Sequence, residues 1–157
     1  MKKTVELYLS TEEATKKLGQ KLALIAKTGD VFALFGTLGM GKSVLARAFV
    51  QKLCGYGEVP SPTFTLLQTY EAPNFEIYHF DLYRLKSAEE IFEIGIEEAI
   101  YGGVSLIEWP EKMGGYLPRD IFKVDISTAG NGRKAVITAW SADKTSRLYA
   151  LEGLFDE

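Results

Sequence analysis

The chain has 157 residues, 46% of them hydrophobic and 25% charged, which is the composition of an ordinary globular protein. This length suits one domain, so we expect a single domain over residues 1–157. The formal net charge of −3, from 18 basic and 21 acidic residues, gives no overall attraction to nucleic acid. One cysteine excludes an internal disulfide. Because no apolar leader or membrane span is visible, we expect a cytoplasmic protein with no membrane or DNA partner.

The first forty residues predict a strand, a helix and a second strand. Residues 4–9 alternate apolar and polar side chains, which indicates a strand. The segment 10–13 has the S-x-x-E pattern of a capping box, and apolar residues at helical spacing follow it to about Lys27. Residues 30–35 form a short apolar run, as expected of a buried strand.

The segment 36–43, GTLGMGKS, matches the phosphate-loop (Walker A) pattern G-x-x-x-x-G-K-[ST] at every fixed position. It lies between the predicted strand and a predicted helix over 44–53 with one apolar face. In that setting main-chain amides converge on phosphate oxygens, and the helix dipole adds positive potential. Lys42 is expected near the β- and γ-phosphates, and the Ser43 hydroxyl is expected to bind Mg²⁺. The simpler alternative is a glycine-rich turn before an ordinary helix.

Three glycines of this loop, Gly36, Gly39 and Gly41, allow positive φ angles and close approach of the backbone to a ligand. We therefore predict nucleotide binding by the residues of the loop and the first turn of the helix. These are Thr37, Leu38, Gly39, Met40, Gly41, Lys42, Ser43 and Val44.

The middle of the chain predicts a hairpin and then a helix. Residues 63–70 and 75–80 are strand-like runs that flank a turn containing proline and asparagine. The segment 87–90, SAEE, is a second capping box. It opens a helical stretch to about Ile100, with Gly95 as a point of interruption.

The last third predicts a buried strand and a second hairpin. Residues 103–108 form an apolar run, and 111–119 have the glycine and proline content of a loop. Residues 121–128 and 134–140 predict the hairpin, and the tail from 142 to 155 has helical spacing. The expected fold is α/β with a mixed sheet, the phosphate-loop strand inside and the hairpins towards an edge.

An acidic residue, Glu108, ends the buried strand at the edge where open α/β sheets bind ligands. This placement favours a second acidic (Walker B) role near the metal, although Glu108 can also simply mark the exit of the strand to solvent. Trp109 follows it. Its pattern is compatible with either a core aromatic or a ligand contact.

The strand over 75–80 is followed by Asp81 and, three residues later, by Arg84. Asp81 is a candidate for acting on Mg²⁺ or on an attacking water, and Arg84 for pairing with a carboxylate or a phosphate. His79 is the one histidine of the chain. Without a nucleophile-elbow signature, a hydrogen-bonded structural imidazole is favoured over a catalytic one.

The loop segment 61–65, SPTFT, follows the phosphate-loop helix. In phosphate-binding hydrolases this place often carries a hydroxyl that senses the γ-phosphate and Mg²⁺, which makes Thr63 a candidate. A proline turn in which Thr63 caps the next strand fits the pattern equally well.

The phosphate loop, SPTFT at 61–65, HFDLYRL at 79–85 and LIEWPE at 106–111, in this order and spacing, resemble the bacterial TsaE (YjeE) ATPases. The resemblance runs from about Ser10 to Pro118. It implies a P-loop NTPase-like three-layer domain, in which helices flank a mixed parallel and antiparallel sheet. The phosphate loop is shared by many families, whereas the other segments are far more specific in combination.

The resemblance also implies an activity: a small ATPase, with ATP and Mg²⁺ as cofactors, required to make N6-threonylcarbamoyladenosine (t6A) at position 37 of tRNA. Members act with TsaB and TsaD, which carry the transfer chemistry, so tRNA is met through that complex. ATP hydrolysis is thought to reset the complex between turnovers.

The same resemblance implies roles for single residues of this chain. They are phosphate and metal binding by Lys42 and Ser43, the second acidic role for Glu108, hydrolysis for Asp81, a switch-like loop position for Thr63, and a place beside the site for Trp109. The family commonly has Asp at the position of Thr37, Ala at that of Met40 and Thr at that of Ser43.

Two other functions are weighed against this one. A small nucleotide or metabolite kinase usually needs an arginine-bearing lid, and no lid-like insertion is visible. A GTP-dependent switch usually carries the N-K-x-D signature, which this sequence lacks. The lack of an evident arginine finger is consistent with slow hydrolysis that a partner accelerates.

Overall fold

The computed structural model describes residues 2–37, 39–55 and 66–155. Its strands are β1 (Lys3–Leu9), β2 (Val31–Phe35), β3 (Leu67–Glu71), β4 (Glu76–Asp81), β5 (Gly103–Glu108), β6 (Phe122–Ala129) and β7 (Gly132–Ala139). Its α-helices are α1 (Glu12–Ile25), α2 (Lys42–Cys54), α3 (Ile96–Gly102) and α4 (Ala142–Phe155), and two 3₁₀ helices span Ala88–Phe92 and Pro110–Tyr116. No helix of these ranges is long and apolar enough to cross a membrane.

The strands form one sheet in the order β1-β7-β6-β2-β5-β4-β3. The four central strands, β6, β2, β5 and β4, pair in parallel, and the outer pairs are antiparallel. Parallel strands are normally covered on both faces, and helices lie on both faces of this sheet. The predicted α/β class, with a mixed sheet and flanking helices, is confirmed.

The two faces of β2 show how the layers form. Phe32 and Leu34 belong to a core cluster with α1, α2 and α4, whereas Val31 and Ala33 belong to a second cluster with α3 and the 3₁₀ helices. All four are almost fully buried. Because successive strand residues point to opposite faces, a strand buried on both sides has no polar position, which explains the continuous apolar run.

Helix α2, which follows the phosphate loop, packs closely against α1. A Cβ at Gly19 of α1 would lie 2.3 Å from the carbonyl oxygen of Leu45 and 3.2 Å from the Cβ of Ala48. A side chain cannot occupy that space, so glycine lets the two helix backbones approach. The apolar face predicted for α2 is confirmed at Leu45 and Phe49, both fully buried.

The start of α1 differs from the prediction. The N-cap is Thr11 rather than Ser10, and its hydroxyl oxygen accepts a hydrogen bond of 3.2 Å from the amide of Ala14. The helix ends at Ile25, two residues early, because Ala26 has an extended backbone. Both residues of the Ser-Thr pair can cap a helix, so the sequence alone did not decide between them.

The segment predicted as a loop over 111–119 is mostly the 3₁₀ helix Pro110–Tyr116, which begins with proline at its first position. Proline is favoured there because its missing amide would have no partner in the helix. The second capping box is confirmed at Ser87 and Glu90, and the left-handed Gly95 separates its short helix from α3.

Both predicted hairpins are confirmed. β3 and β4 pair antiparallel, as do β6 and β7, with Ala129 opposite Gly132 at the second turn. The predicted start of the first hairpin, residues 63–65, lies outside the described residues.

A buried ion cluster attaches α4 to the turn before β2. Arg147 donates to both carboxylate oxygens of Asp30, with an Nη2–Oδ1 distance of 2.9 Å, and to Asp143 at 2.7 Å. Lys144 lies 3.7 Å from Asp30. Asp30 is 2% exposed, so these partners replace the water that its carboxylate loses on folding.

Replacing Arg147 by methionine should therefore lower the free energy of unfolding by about 3 kcal/mol, because it leaves the buried Asp30 carboxylate with Lys144 as its nearest cation. Adding Asp30→Asn should restore part of the loss, since it removes the uncompensated charge. Urea unfolding measures both. The control, Lys16→Met, breaks exposed ion pairs of α1 and should change stability by less than about 0.5 kcal/mol. Equal stability of the Arg147 and Lys16 variants would contradict the assigned role.

Candidate functional site

The glycine loop has the backbone that the pattern predicts. The φ angles of Gly36, Gly39 and Gly41 are 147°, 84° and 98°. Gly41 is the left-handed N-cap of α2, a conformation that costs other residues about 1–2 kcal/mol. A Cβ at Gly36 would lie 2.7 Å from the carbonyl oxygen of Ile126 in β6. Leu38 lies outside the described residues.

Lys42, the first residue of α2, is 4% exposed and points into the loop. Its ammonium donates a hydrogen bond of 2.6 Å to the carbonyl oxygen of Gly36 and lies 3.5 Å from the centroid of the Trp109 ring. Burial lowers the pKa of Lys42, although neighbouring carboxylates, Glu108 first, oppose this shift. Trp109 has a left-handed backbone, with φ 60° and ψ 48°, and its ring also contacts that of Tyr83.

Glu108 ends β5 beneath the N-terminus of α2 and is 2% exposed. One carboxylate oxygen accepts a hydrogen bond of 2.8 Å from the Ser43 hydroxyl, and the other lies 2.6 Å from Nε2 of His79. Burial alone would raise the pKa of Glu108, but the hydrogen bonds from His79 and Ser43, together with the nearby charge of Lys42, outweigh it and hold the pKa below its usual value. This direction favours the ionised form of the Glu108 carboxyl.

Asp81 is the last residue of β4 and pairs in register with Glu108 on the neighbouring strand. Paired residues share a face of the sheet, so both carboxylates lie on the side that α2 covers. Asp81 is 9% exposed and accepts a hydrogen bond of 3.1 Å from the amide of Tyr83. Burial raises the pKa of Asp81 more than this hydrogen bond lowers it.

These groups surround one cavity of about 410 Å³. It is lined by Gly39, Met40, Gly41, Lys42, Ser43, Val44, Asp81, Tyr83, Arg84, Glu108 and Trp109. Most of the predicted site residues thus lie together. Thr37 is exposed and does not line the cavity, and Thr63 lies outside the described residues.

A second cavity, of about 270 Å³, shares Gly39, Met40, Gly41 and Val44 with the first. Its far wall includes Thr11, the N-cap of α1, Thr15 of α1 and Arg133 of β7. The sequence did not connect these residues to the loop. Their positions in the sequence do not reveal that they are neighbours in the fold. The wall forms because β1 pairs with β7 and sets Leu9 opposite Arg133.

The oxygen atoms of Ser43 and Glu108 are ligands of the kind that magnesium accepts. Within the described ranges, no group of three or more His, Cys, Asp or Glu residues is placed to hold a metal ion. Magnesium usually binds through one or two protein oxygens, completed by phosphate and water. A hydroxyl and a carboxylate 2.8 Å apart, at the end of a glycine loop, suit that mode.

The fold and the loop place the chain among three-layer α/β proteins with a phosphate-loop motif. Within that class, the family model "Threonylcarbamoyl adenosine biosynthesis protein TsaE" matches residues 9–136. The chain belongs to the TsaE family, and the match extends beyond Pro118, where the motif resemblance ended.

Relatives cover most of the chain. Proteins named "tRNA threonylcarbamoyladenosine biosynthesis protein TsaE" are 46% identical in Rickettsia conorii, over 80% of this chain and 73% of the relative, and 34% identical in Bacillus subtilis, over 79% and 78%. One from Rickettsia felis is 41% identical over 93% of this chain and 86% of its own length. The crystal structure of Bacillus subtilis YdiB superimposes with a TM-score of 0.83 at 28% identity, covering 100% of this chain and 99% of that one.

The position of Lys42 predicts a fluorescence response to phosphate. The protein has two tryptophans, so Trp140→Phe leaves Trp109 as the one emitter. Inorganic pyrophosphate should draw the ammonium off the Trp109 ring, a contact worth about 0.5–2 kcal/mol, and change the emission saturably. With Lys42→Met in the same background, the response should disappear. An undiminished response would show that Lys42 does not report on the anion.

Proposed function

We propose that this chain is a magnesium-dependent ATPase that serves the synthesis of threonylcarbamoyladenosine on tRNA, acting with proteins of the TsaB and TsaD type. Family membership and the names of the relatives support the pathway. The observation that carries the ATPase part is the cluster of Lys42, Ser43 and Glu108 around the amino end of α2. TsaB and TsaD enter through the family resemblance.

Phosphate binding would exchange weak partners of Lys42 for strong ones. Its ammonium now contacts a carbonyl oxygen of the loop and the face of Trp109. Phosphate groups are ionised, and hydrogen bonds between charged partners are about twice as strong as those between neutral ones. The loop amides and the dipole of α2 act on the same anion, so the β- and γ-phosphates are expected beside Lys42.

Magnesium would be held by Ser43 and, directly or through water, by Glu108. Bound there, it would neutralise charge on the phosphates. Asp81 is expected to orient the attacking water and to accept its proton. Burial raises the pKa of Asp81, which makes this carboxylate a better proton acceptor than an exposed one.

The second cavity offers room for the nucleoside. It begins at the loop residues that also line the first cavity, so a ligand bound by its phosphates can extend into it. We expect the base and ribose between α1 and the β6–β7 hairpin, near Thr11 and Arg133.

Among the described residues that line the first cavity, the arginine is Arg84, and its side chain is exposed. The sequence has no evident arginine finger, so we expect the purified chain to hydrolyse ATP slowly. Stabilisation of the transition state by a partner is worth about 10³–10⁵ in rate where an arginine is supplied in trans. Addition of TsaB and TsaD should raise the rate.

In a reconstituted t6A assay with TsaB, TsaD, tRNA and ATP, product formation should require this chain. Lys42→Ala should abolish it, because the buried ammonium at the phosphate loop is lost. Lys52→Ala, which removes an exposed lysine from the last turn of the same helix, should leave it unchanged. Full t6A synthesis with the Lys42 variant would refute the proposal. Rapid phosphorylation of a small acceptor by the chain alone would support the kinase alternative.

Replacing Asp81 by asparagine should separate nucleotide binding from turnover. The amide keeps an acceptor for the Tyr83 main-chain N–H but is a poor proton acceptor. Partner-stimulated turnover should fall by about 10²–10⁴-fold, the usual contribution of a general base. The dissociation constant for ATP, measured by calorimetry, should change far less. Parallel loss of affinity and turnover would contradict the assigned role.

A further inference from the structure

His79 lies in β4, the strand next to the edge strand β3, on the face of the sheet that α2 covers. It is fully buried, and it sits in β4 opposite Leu106 of β5, two residues before Glu108. Residues two apart on a strand share a face, so the imidazole and the Glu108 carboxylate are diagonal neighbours. Their Nε2–Oε2 distance of 2.6 Å is that of a short, charge-assisted hydrogen bond.

The two ring nitrogens of His79 have different surroundings. We assign the hydrogen of this contact to Nε2 of His79, because a carboxylate oxygen of Glu108 can then accept it. The other ring nitrogen, Nδ1, is buried and has no hydrogen-bond partner within the described residues. A buried polar atom without a partner is costly, typically about 1–3 kcal/mol. Packing alone does not explain a histidine here, whereas the contact with Glu108 does.

The contact continues to the phosphate loop. Glu108 receives the His79 hydrogen bond on one oxygen and that of Ser43 on the other. Two donors on the two oxygens fix the plane of a carboxylate, which otherwise rotates freely about its last bond. The hydrogen of the Ser43 hydroxyl is thereby directed at Glu108. The lone pairs of the Ser43 oxygen are left for another partner.

We propose that His79 is a positioning residue: through its hydrogen bond to Glu108 it holds the carboxylate and the Ser43 hydroxyl in the geometry that receives magnesium. It acts through Glu108, because it is fully buried and does not line the cavity. The inference rests on the proposed function, since it names the residue that orders the magnesium ligands of the same site. Partners of metal ligands typically contribute about 10–100-fold to metal affinity or activity.

Three variants test the proposal. His79→Leu fills the space without a donor, and His79→Gln keeps a donor on a flexible chain. Ser105→Ala is the control, because its buried hydroxyl has no partner in the described part of the chain and lies on the opposite face of the sheet from Glu108. All three are first compared by thermal unfolding, so that a variant that does not fold is set aside.

The first readout is calorimetry of ADP binding with and without Mg²⁺, which needs no turnover. For His79→Leu, affinity measured in EDTA should stay within about twofold of the parent, and the gain on adding Mg²⁺ should shrink by about 10–100-fold. His79→Gln should recover part of the gain, and Ser105→Ala all of it. An unchanged Mg²⁺ gain in folded His79→Leu would overturn the proposal, as would the same loss in Ser105→Ala.

The second readout is spectroscopic and uses the free protein. Because the chain has one histidine, its nitrogen NMR spectrum contains one imidazole. The spectrum should show the hydrogen on Nε2, and Glu108→Gln should shift the Nε2 signal. A hydrogen found on Nδ1 alone would overturn the proposal, as would an Nε2 signal that does not shift in Glu108→Gln.

The two failures are distinguishable. If the parent protein binds no nucleotide, or binds it without any effect of Mg²⁺, the proposed function fails. If the parent shows the Mg²⁺ gain and His79→Leu retains it, the assignment of His79 alone fails.

Discussion

Parallel pairing of β4 with β5 sets Asp81 opposite Glu108 and turns both carboxylates to the face of the sheet that α2 covers. On its other side β5 pairs with β2, which leads through the glycine loop into α2, so Ser43 meets the same strand end. Because side chains alternate along a strand, a slip of one residue in β4 would move His79 and Asp81 to the opposite face. Ile77 and Phe80 of β4 are fully buried on opposite faces of the sheet and oppose such a slip.

The charges of this strand end stabilise one another without a ligand. A buried ammonium and two buried carboxylates each lose hydration, and such groups persist only where partners compensate them. Glu108 has two hydrogen-bond donors, whereas Lys42 has a carbonyl oxygen and an aromatic ring. The acidic side of the site is thus firmly fixed, and the basic side is held by contacts that a phosphate can replace.

Local signals made much of this architecture predictable. The loop motif, the buried run that ends at Glu108 and the capping box at Ser87 each depend on neighbours in sequence. The partner of His79 could not be predicted in this way, because Glu108 is 29 positions away and only the strand register brings the two together. The left-handed backbone of Trp109 was equally unpredictable from the sequence, since that conformation is rare outside glycine and is imposed by the surrounding structure.

The glycine in α1 has a mechanical consequence for the loop. With Gly19 against the carbonyl of Leu45, α1 and α2 touch backbone to backbone, and one turn earlier Thr15 borders Gly41. No layer of side chains separates the two backbones at that point, so α1 braces the amino end of α2, where the loop runs into the helix.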